Sequence, residues 1–281
     1  MATLTTEQYR QVKEDVVIAA RRQNIARKLM SVRGPMGLGV QQYSYDTLTE
    51  LSAAIVSYAF EERDLDKPST TRTSTDIPIL QKSFEIQRRD MQSSQRFGTP
   101  LNTAAAASAS YRVAYQENAM VLDGWSKDSS TYDIKGAIQT AAAGNTDSSA
   151  NGFNTAGNAI EEVAICMGLL LADDIPAPYN LVLNPTQYAE LVAAVLSNGD
   201  REITHVREII GGEIFVSPYQ TAGTGTLLAM PEAKFFELIV ATDMSVETEE
   251  LPKSHNTYGR VYECVVPVFY DTNAVCTMTA I

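Results

Sequence analysis

Residues 84–125 read FEIQRRDMQSSQRFGTPLNTAAAASASYRVAYQENAMVLDGW, and the fold turns on how they are parsed. They open with alternation, Phe84, Ile86 and Arg88 on one face and Glu85 and Gln87 on the other, which predicts a strand. Thr99 then fits an N-cap, and Pro100 the first helical position, where no N–H is needed. Nothing from there to Asp123 breaks a helix, and Gly124 stands where a left-handed C-cap is wanted. About 24 residues at 1.5 Å rise predict a rod of roughly 36 Å. Alanines at 104–107 and 109 keep its first half thin, so another backbone can approach closely. Leu101, Val113, Met120 and Val121, with Tyr111 and Tyr115, supply apolar surface. A long thin helix led in by a strand predicts a spine on which other layers rest.

The rest of the chain divides around that spine. Residues 5–30 predict an amphipathic helix capped by Thr5 or Thr6, with Tyr9, Val12, Val16, Ala20 and Leu29 near one face and a basic end, as the helix dipole prefers. The following Arg33-Gly34-Pro35-Met36-Gly37-Leu38-Gly39 fails as a phosphate cradle. No strand clearly precedes it and no helix with Lys-Ser/Thr follows, so it reads as a tight structural turn. Residues 43–82 form a long excursion with few core anchors, which predicts that its contacts lie elsewhere. Its carboxylate run at 61–66 lacks calcium-loop spacing and reads as a solvated loop.

Beyond the spine, residues 127–158 are a small-residue connector. A helix over 158–172, a buried strand over 179–183 and a helix opened by Asn184-Pro185 follow. That second helix is stopped by Asn198-Gly199. A shorter helix at 202–210 and strands at 214–216, 226–230 and 235–240 complete an alternating α/β layer. Residues 258–270 and 274–281 are β again, and the strand at 77–88 is their expected partner. The first domain is therefore expected to be discontinuous.

Bulk composition narrows the function. The 281 residues are 44% hydrophobic and 20% charged, enough for one large or two modest cores. No apolar run approaches the ~20 residues of a membrane span, and residues 1–30 lack the charged-then-apolar order of a signal peptide, so a cytoplasmic location and no membrane partner are expected. Cys166, Cys264 and Cys276 show no CxxC pairing, which argues against a disulfide scaffold or a zinc site. A net charge of −12 argues against broad nucleic-acid binding, although an acidic lining against which packaged DNA slides stays compatible.

Four passages, in order along nearly the whole chain, resemble the encapsulins, shell proteins of prokaryotic nanocompartments that share the Hong Kong 97-type fold of tailed-phage capsids. Residues 26–37, ARKLMSVRGPMG, resemble the family's segment after its N-terminal helix. Residues 84–90 and 105–124, with Glu117 and Asp123, resemble its strand and spine. Residues 179–188 resemble its Pro-Tyr-x-Leu-Val strand and helix. Asp243-Met244-Ser245-Val246 and Glu263-Cys264-Val265-Val266-Pro267 resemble its late strands.

The resemblance implies an α+β fold: an N-terminal helix and arm at 1–42, an extended E-loop at 43–82, and a P domain of long spine helix plus β-sheet at 83–130 and 246–281. An α/β A domain is inserted at 131–245. It implies a non-enzymatic subunit that closes with many copies of itself into an icosahedral cage around a cargo protein, such as a ferritin-like protein or a peroxidase. The E-loop would lie on a neighbouring copy. Tyr9, Val12, Val16 and Ala20 would face cargo inside the shell, and Asn198, Gly199, Asp200 and Arg201 would line a five-fold pore. Some relatives carry a flavin near a Trp in the strand before the spine. Here that neighbourhood is Gln87-Arg88-Arg89 and the single Trp is Trp125, so no cofactor and no metal are expected.

Two other readings stand beside this one. A viral major capsid protein of the same fold would enclose DNA in a virion. An enzyme could be built on Cys166 with His205 and Asp173, but Cys166 falls in an apolar helix with no cation or helix N-terminus to make a thiolate. His255 sits in loop sequence, and the chain lacks a convergent set of nucleophile, base and oxyanion donors.

Overall fold

A computed structural model of the chain describes residues 6–23, 25–48, 51, 56, 58, 67–97, 103–127, 133–141, 145–148, 151–250 and 256–281. The N-terminal segment forms α1 (Thr6–Gln23) and a separate short α2 (Ala26–Leu29), followed by β1 (Ser31–Arg33). One helix over 5–30 was expected. The break has a cause that local sequence does not carry: the Ile25 and Ala26 N–H groups both donate to Asn118 Oδ1 on the spine, at 3.0 and 2.8 Å. A distant side chain thus satisfies the orphan donors that open α2.

Next come β2 (Gln42–Leu48), β3 (Thr70–Asp76), β4 (Ile79–Ile86), α3 (Arg88–Phe97) and α4 (Ala104–Leu122). The spine, α4, is shorter than expected, 19 residues, and residues 88–97 form a helix rather than a strand end and lead-in. Strand pairing stops where β4 runs out of partner, at the Ile86–Thr257 pair. The helix then buries Met91, which accepts from Thr257 Oγ1 at 3.1 Å. The Thr99 cap and Pro100 lie outside the described residues; α4 begins after Thr103, and Gly124 closes it at φ +79°, the left-handed position expected of it. The thin half does its expected work: Ala106 and Ala109 are buried, and α1 runs alongside. Asp15 accepts from Thr103 near the start of α4, and Asn118 meets α2 near its end.

The later elements are α5 (Ala137–Thr140), β5 (Thr146–Asp147), α6 (Asn158–Ala172), β6 (Tyr179–Leu183), α7 (Pro185–Ala193), α8 (Glu202–Ile210), β7 (Gly211–Val216), β8 (Thr224–Ala229), β9 (Phe236–Glu250), β10 (Thr257–Phe269) and β11 (Val275–Thr279). Asn184 caps α7 by accepting from Thr186 N at 3.0 Å, with Pro185 at the first position. Buried Glu202 at the start of α8 accepts from Gly157 N and Ile160 N, placing a carboxylate on the N-terminus of α6.

Two main sheets result. The first has strand order β1-β9-β10-β4, with β1 parallel to β9 and the other pairs antiparallel. The spine packs on β4 and β10. The second has order β5-β11-β8-β6-β7, with α6 and α8 against it. Two boundaries differ from expectation. β9 already belongs to the spine's sheet from Phe236, and β11 does not join the strand at 77–88 but enters the second sheet between β5 and β8. Residues 274–281 are apolar enough for either sheet, so only pairing decides.

β2 and β3 make a third, two-stranded sheet, with Gln42 opposite Asp76 and Leu48 opposite Thr70. The lead-in to this arm is stitched to β9: Met36 N and Gly37 N donate to Val240 O and Ala241 O at 3.0 and 2.7 Å. Gly34 makes that close approach possible. Its φ is +134°, and a Cβ there would stand 2.1 Å from Val240 O.

Candidate functional sites

The stripe expected to face cargo divides on α1. Val12 and Val16 are fully buried in the core shared with the spine, so they seat the helix. Tyr9, one to two turns earlier, is 37% exposed and anchored by its hydroxyl, which donates to Val246 O at 2.9 Å. It stands at the edge of a groove of about 640 Å³ lined also by Val246, Glu247, Thr248, Tyr258 and Arg260. Within that groove Glu247 accepts from Arg260 and Tyr262 at 2.8 and 2.9 Å, which holds its carboxyl below the usual range, Arg260 acting most strongly. The Ala20 side chain lies outside the described residues.

Just beyond α1, Arg27 on α2 meets three carboxyl groups from three elements: Asp243 on β9 at 2.8 Å, Glu117 on the spine at 3.0 Å and Glu263 on β10 at 3.5 Å. Glu117 and Glu263 are completely buried. Burial opposes the Arg27 charge, but Glu117 and Asp243, with Glu263 behind them, outweigh it and raise its pKa further. Burial, and then the neighbouring Glu117 carboxylate, push Glu263 well above the usual carboxylate range against a smaller opposing pull from Arg27. Of the three carboxyl groups, Glu263 makes the longest contact to Arg27, 3.5 Å. The cluster locks the N-terminal segment to the spine and the first sheet at once. No local spacing marks these residues as a group, because they lie about 90 and 240 residues apart along the chain.

The residues expected at a pore form an exposed turn at one end of the second sheet's layer. Val195 and Arg201 bridge antiparallel, Leu196 N donates to Asp200 O at 2.9 Å, and Gly199 takes φ +89°. Asn198 Nδ2 donates to Asp200 Oδ2 at 2.8 Å, and Asp200 N to Asn198 Oδ1 at 3.0 Å. Asp200 also lies 3.6 Å from His205 Nε2.

The groups weighed for catalysis are dispersed. Cys166 on α6 lies against Cys276 on β11, Sγ to Sγ 2.9 Å, and both are fully buried. That contact, then burial, push the Cys166 thiol far up, the opposite of an activated nucleophile. Asp173 accepts from Asn145 Nδ2 at 3.0 Å, and His205 faces Asp200 and Glu208. His255 and the carboxylate run at 61–66 lie outside the described residues. Among the described residues no group of three or more His, Cys, Asp or Glu could hold a metal ion, and no helix is long and apolar enough to cross a membrane.

Comparison with known proteins places this architecture. Residues 1–266 match the Linocin_M18 family, described as encapsulating protein for peroxidase. The chain is 24% identical over 275 residues to the type 1 encapsulin shell protein of Myxococcus xanthus, covering 98% of this chain and 93% of that one. It is 25% identical over 275 residues to a diheme-cytochrome–encapsulin shell fusion protein of Kuenenia stuttgartiensis, covering 98% of this chain and 73% of that protein. Among solved structures, a virus-like particle from Pyrococcus furiosus superposes with a TM-score of 0.72 at 16% identity, covering 97% of this chain and 100% of that one.

Proposed function

This chain belongs to the family of encapsulating proteins for peroxidase, the encapsulin shell proteins, and we propose that it closes with copies of itself into an icosahedral compartment, in the cytoplasm, around a protein cargo. It is a structural subunit of the Hong Kong 97-type fold, not an enzyme. The alternative of a viral capsid protein enclosing DNA is not favoured, since the matching family and both sequence relatives are encapsulating shells.

The cargo is a peroxidase, a ferritin-like protein or another redox protein, held by a tail that lies in the groove beside Tyr9. What supports this reading is the groove itself: an open, partly apolar channel between α1 and the β9–β10 hairpin, with Val12 and Val16 buried behind it to fix the helix. Gross burial at ~25 cal/mol per Å² supports only modest affinity once ordering costs are subtracted, so many equivalent grooves facing one lumen would act through avidity. The arm of β2 and β3 lies on a neighbouring copy. β3 is exposed along nearly its whole length, and a two-stranded sheet is marginal alone. The turn at 195–201, with Asn198, Gly199, Asp200 and Arg201, lines a five-fold pore.

Co-expression with the proteins encoded beside the gene tests the cargo reading. Wild-type particles should carry one such protein, and Tyr9→Asp should lose it while particles of the same size still form. Equal loading of the variant would refute the groove, and wild-type particles holding DNA and no protein would restore the viral alternative.

A further inference from the structure

The arm leaves the body beside a closed ring of polar side chains drawn from four separate segments. Arg33 Nη1, at the end of β1, donates to Tyr43 OH on β2 at 3.2 Å and to Glu237 Oε2 on β9 at 3.4 Å. Tyr43 OH and Tyr270 OH, the latter just past β10, lie 3.0 Å apart. Tyr270 OH donates to Glu237 Oε2 at 2.7 Å. Because Tyr270 spends its proton on Glu237, Tyr43 must donate to Tyr270, and Arg33 in turn to Tyr43. The direction of every bond in the ring is thereby fixed, with a cation at one end and a carboxylate at the other, the arrangement in which successive bonds polarise one another.

The arm side of the ring is reinforced by packing. Tyr45, two residues along β2 from Tyr43, meets the Tyr270 ring edge-on at 5.1 Å and 88°. The Arg33 guanidinium lies 5.9 Å from the Tyr43 ring centre. An open recess of about 500 Å³ borders the ring and is lined also by Asp46, Thr47 and Lys234, so sterics alone leave the arm room to swing. Farther out, side chains tie the arm's two strands to each other, as in the two-point Asp46–Arg72 pair at 2.8 and 3.0 Å and the Ser44–Ser74 contact.

We propose that Arg33, Tyr43, Glu237 and Tyr270 form a latch that sets the direction of the β2–β3 arm, making them positioning residues for the shell's geometry. The inference rests on the reading that the arm lies on a neighbouring copy. The arm is a lever: its seven-residue strands span about 23 Å, so a swing of about 10° at the base moves the tip about 4 Å, roughly one strand spacing. A contact displaced by that much repeats at every equivalent interface and changes the curvature at which copies close.

Tyr270→Phe deletes the hydroxyl and keeps the ring against Tyr45; Glu237→Gln keeps a side-chain acceptor without the charge. Hydrogen exchange of amides 42–48 and 70–76 is read by mass spectrometry with the β9–β10 ladder as internal reference, and particle diameters by electron microscopy. Tyr270→Phe is expected to speed arm exchange about tenfold, the scale of a lost bond to a charged group, with the reference unchanged. Its particles should spread over more than one diameter, and Glu237→Gln should do the same to a smaller degree. Unchanged arm exchange, equal acceleration of arm and reference, or faster exchange with wild-type diameters would each overturn the latch. Wild type forming no closed particle at all would instead overturn the shell reading, and the exchange comparison would still decide whether the ring holds the arm.

Discussion

Replacing Arg27 with methionine keeps an apolar stem like that of the side chain but removes the cation facing Glu117, Asp243 and Glu263. Breaking a buried ion pair from one side costs about 3–5 kcal/mol when the remaining charge stays buried. A buried carboxylate can escape by taking a proton, which caps the loss. Protonating an ordinary Glu near pH 7, at about 1.36 kcal/mol per pH unit above its pKa, costs roughly 3.7 kcal/mol. Arg27 is itself 27% exposed, which trims its contribution, so a loss of about 3 kcal/mol near neutral pH is expected.

The same reasoning sets the pH dependence. Without Arg27 the pull that lowers the Glu263 pKa is gone, and its folded-state value stands further above the unfolded one. Its stability is then complete below the unfolded pKa and lost as pH rises towards the folded one. The gap between wild type and Arg27→Met should therefore widen from about 1 kcal/mol near pH 5 to about 3 kcal/mol or more near pH 8. Wild-type Glu263, also raised, should give a milder slope of the same sign, which Glu263→Gln should flatten. Urea unfolding followed by the single Trp125, just past the end of the spine, reads both variants at matched protein concentration, because assembly adds to apparent stability. A pH-independent loss, or a double variant Arg27→Met/Glu117→Gln no more stable near pH 8 than Arg27→Met, would refute the charge argument and leave packing as the cause.

Gly34→Ala should be comparably damaging without touching a charge. Positive φ and a Cβ 2.1 Å from Val240 O predict a loss of about 2–4 kcal/mol, read as a drop in melting temperature of roughly 5–15 °C; a shift under about 2 °C would mean that the arm's lead-in can detach from β9 at little cost. At the turn proposed to line a pore, Asp200→Lys should change the rate at which small ions enter closed particles and leave particle size as it was. Identical ion entry in stopped-flow measurements would count against a pore there.

What could be read in the sequence was local or periodic. The limits of α6, the buried β6 and the Asn184-Pro185 start of α7 follow from apolar period and cap chemistry, which act within a few residues. The family resemblance carried the rest of the architecture. The misses share one physical origin, a partner far along the chain. Asn118 splits the first helix, Thr257 ends β4 and receives Met91, and the choice of sheet for β11 rests on pairing with β8. The sites were legible to different degrees for the same reason. Tyr9 and its stripe are visible as a helical face, but which members that face spends on the core depends on the spine opposite. The Arg27 cluster and the ring at the arm's base each assemble residues from three or four elements and leave no spacing to find.

The placement of β11 also orders events during synthesis. The second sheet draws β5, β6, β7 and β8 from residues 146–229, yet β11, from residues 275–279, lies between β5 and β8. Until the ribosome has delivered those residues, β8 presents a bare edge along the whole register from Val275 to Thr279, and β5 has no strand beside it. A nascent chain in that state exposes the kind of edge that pairs with the wrong partner. Every subunit must therefore finish this one insertion before it offers neighbours a completed surface, which separates the maturation of single chains from their recruitment into a particle.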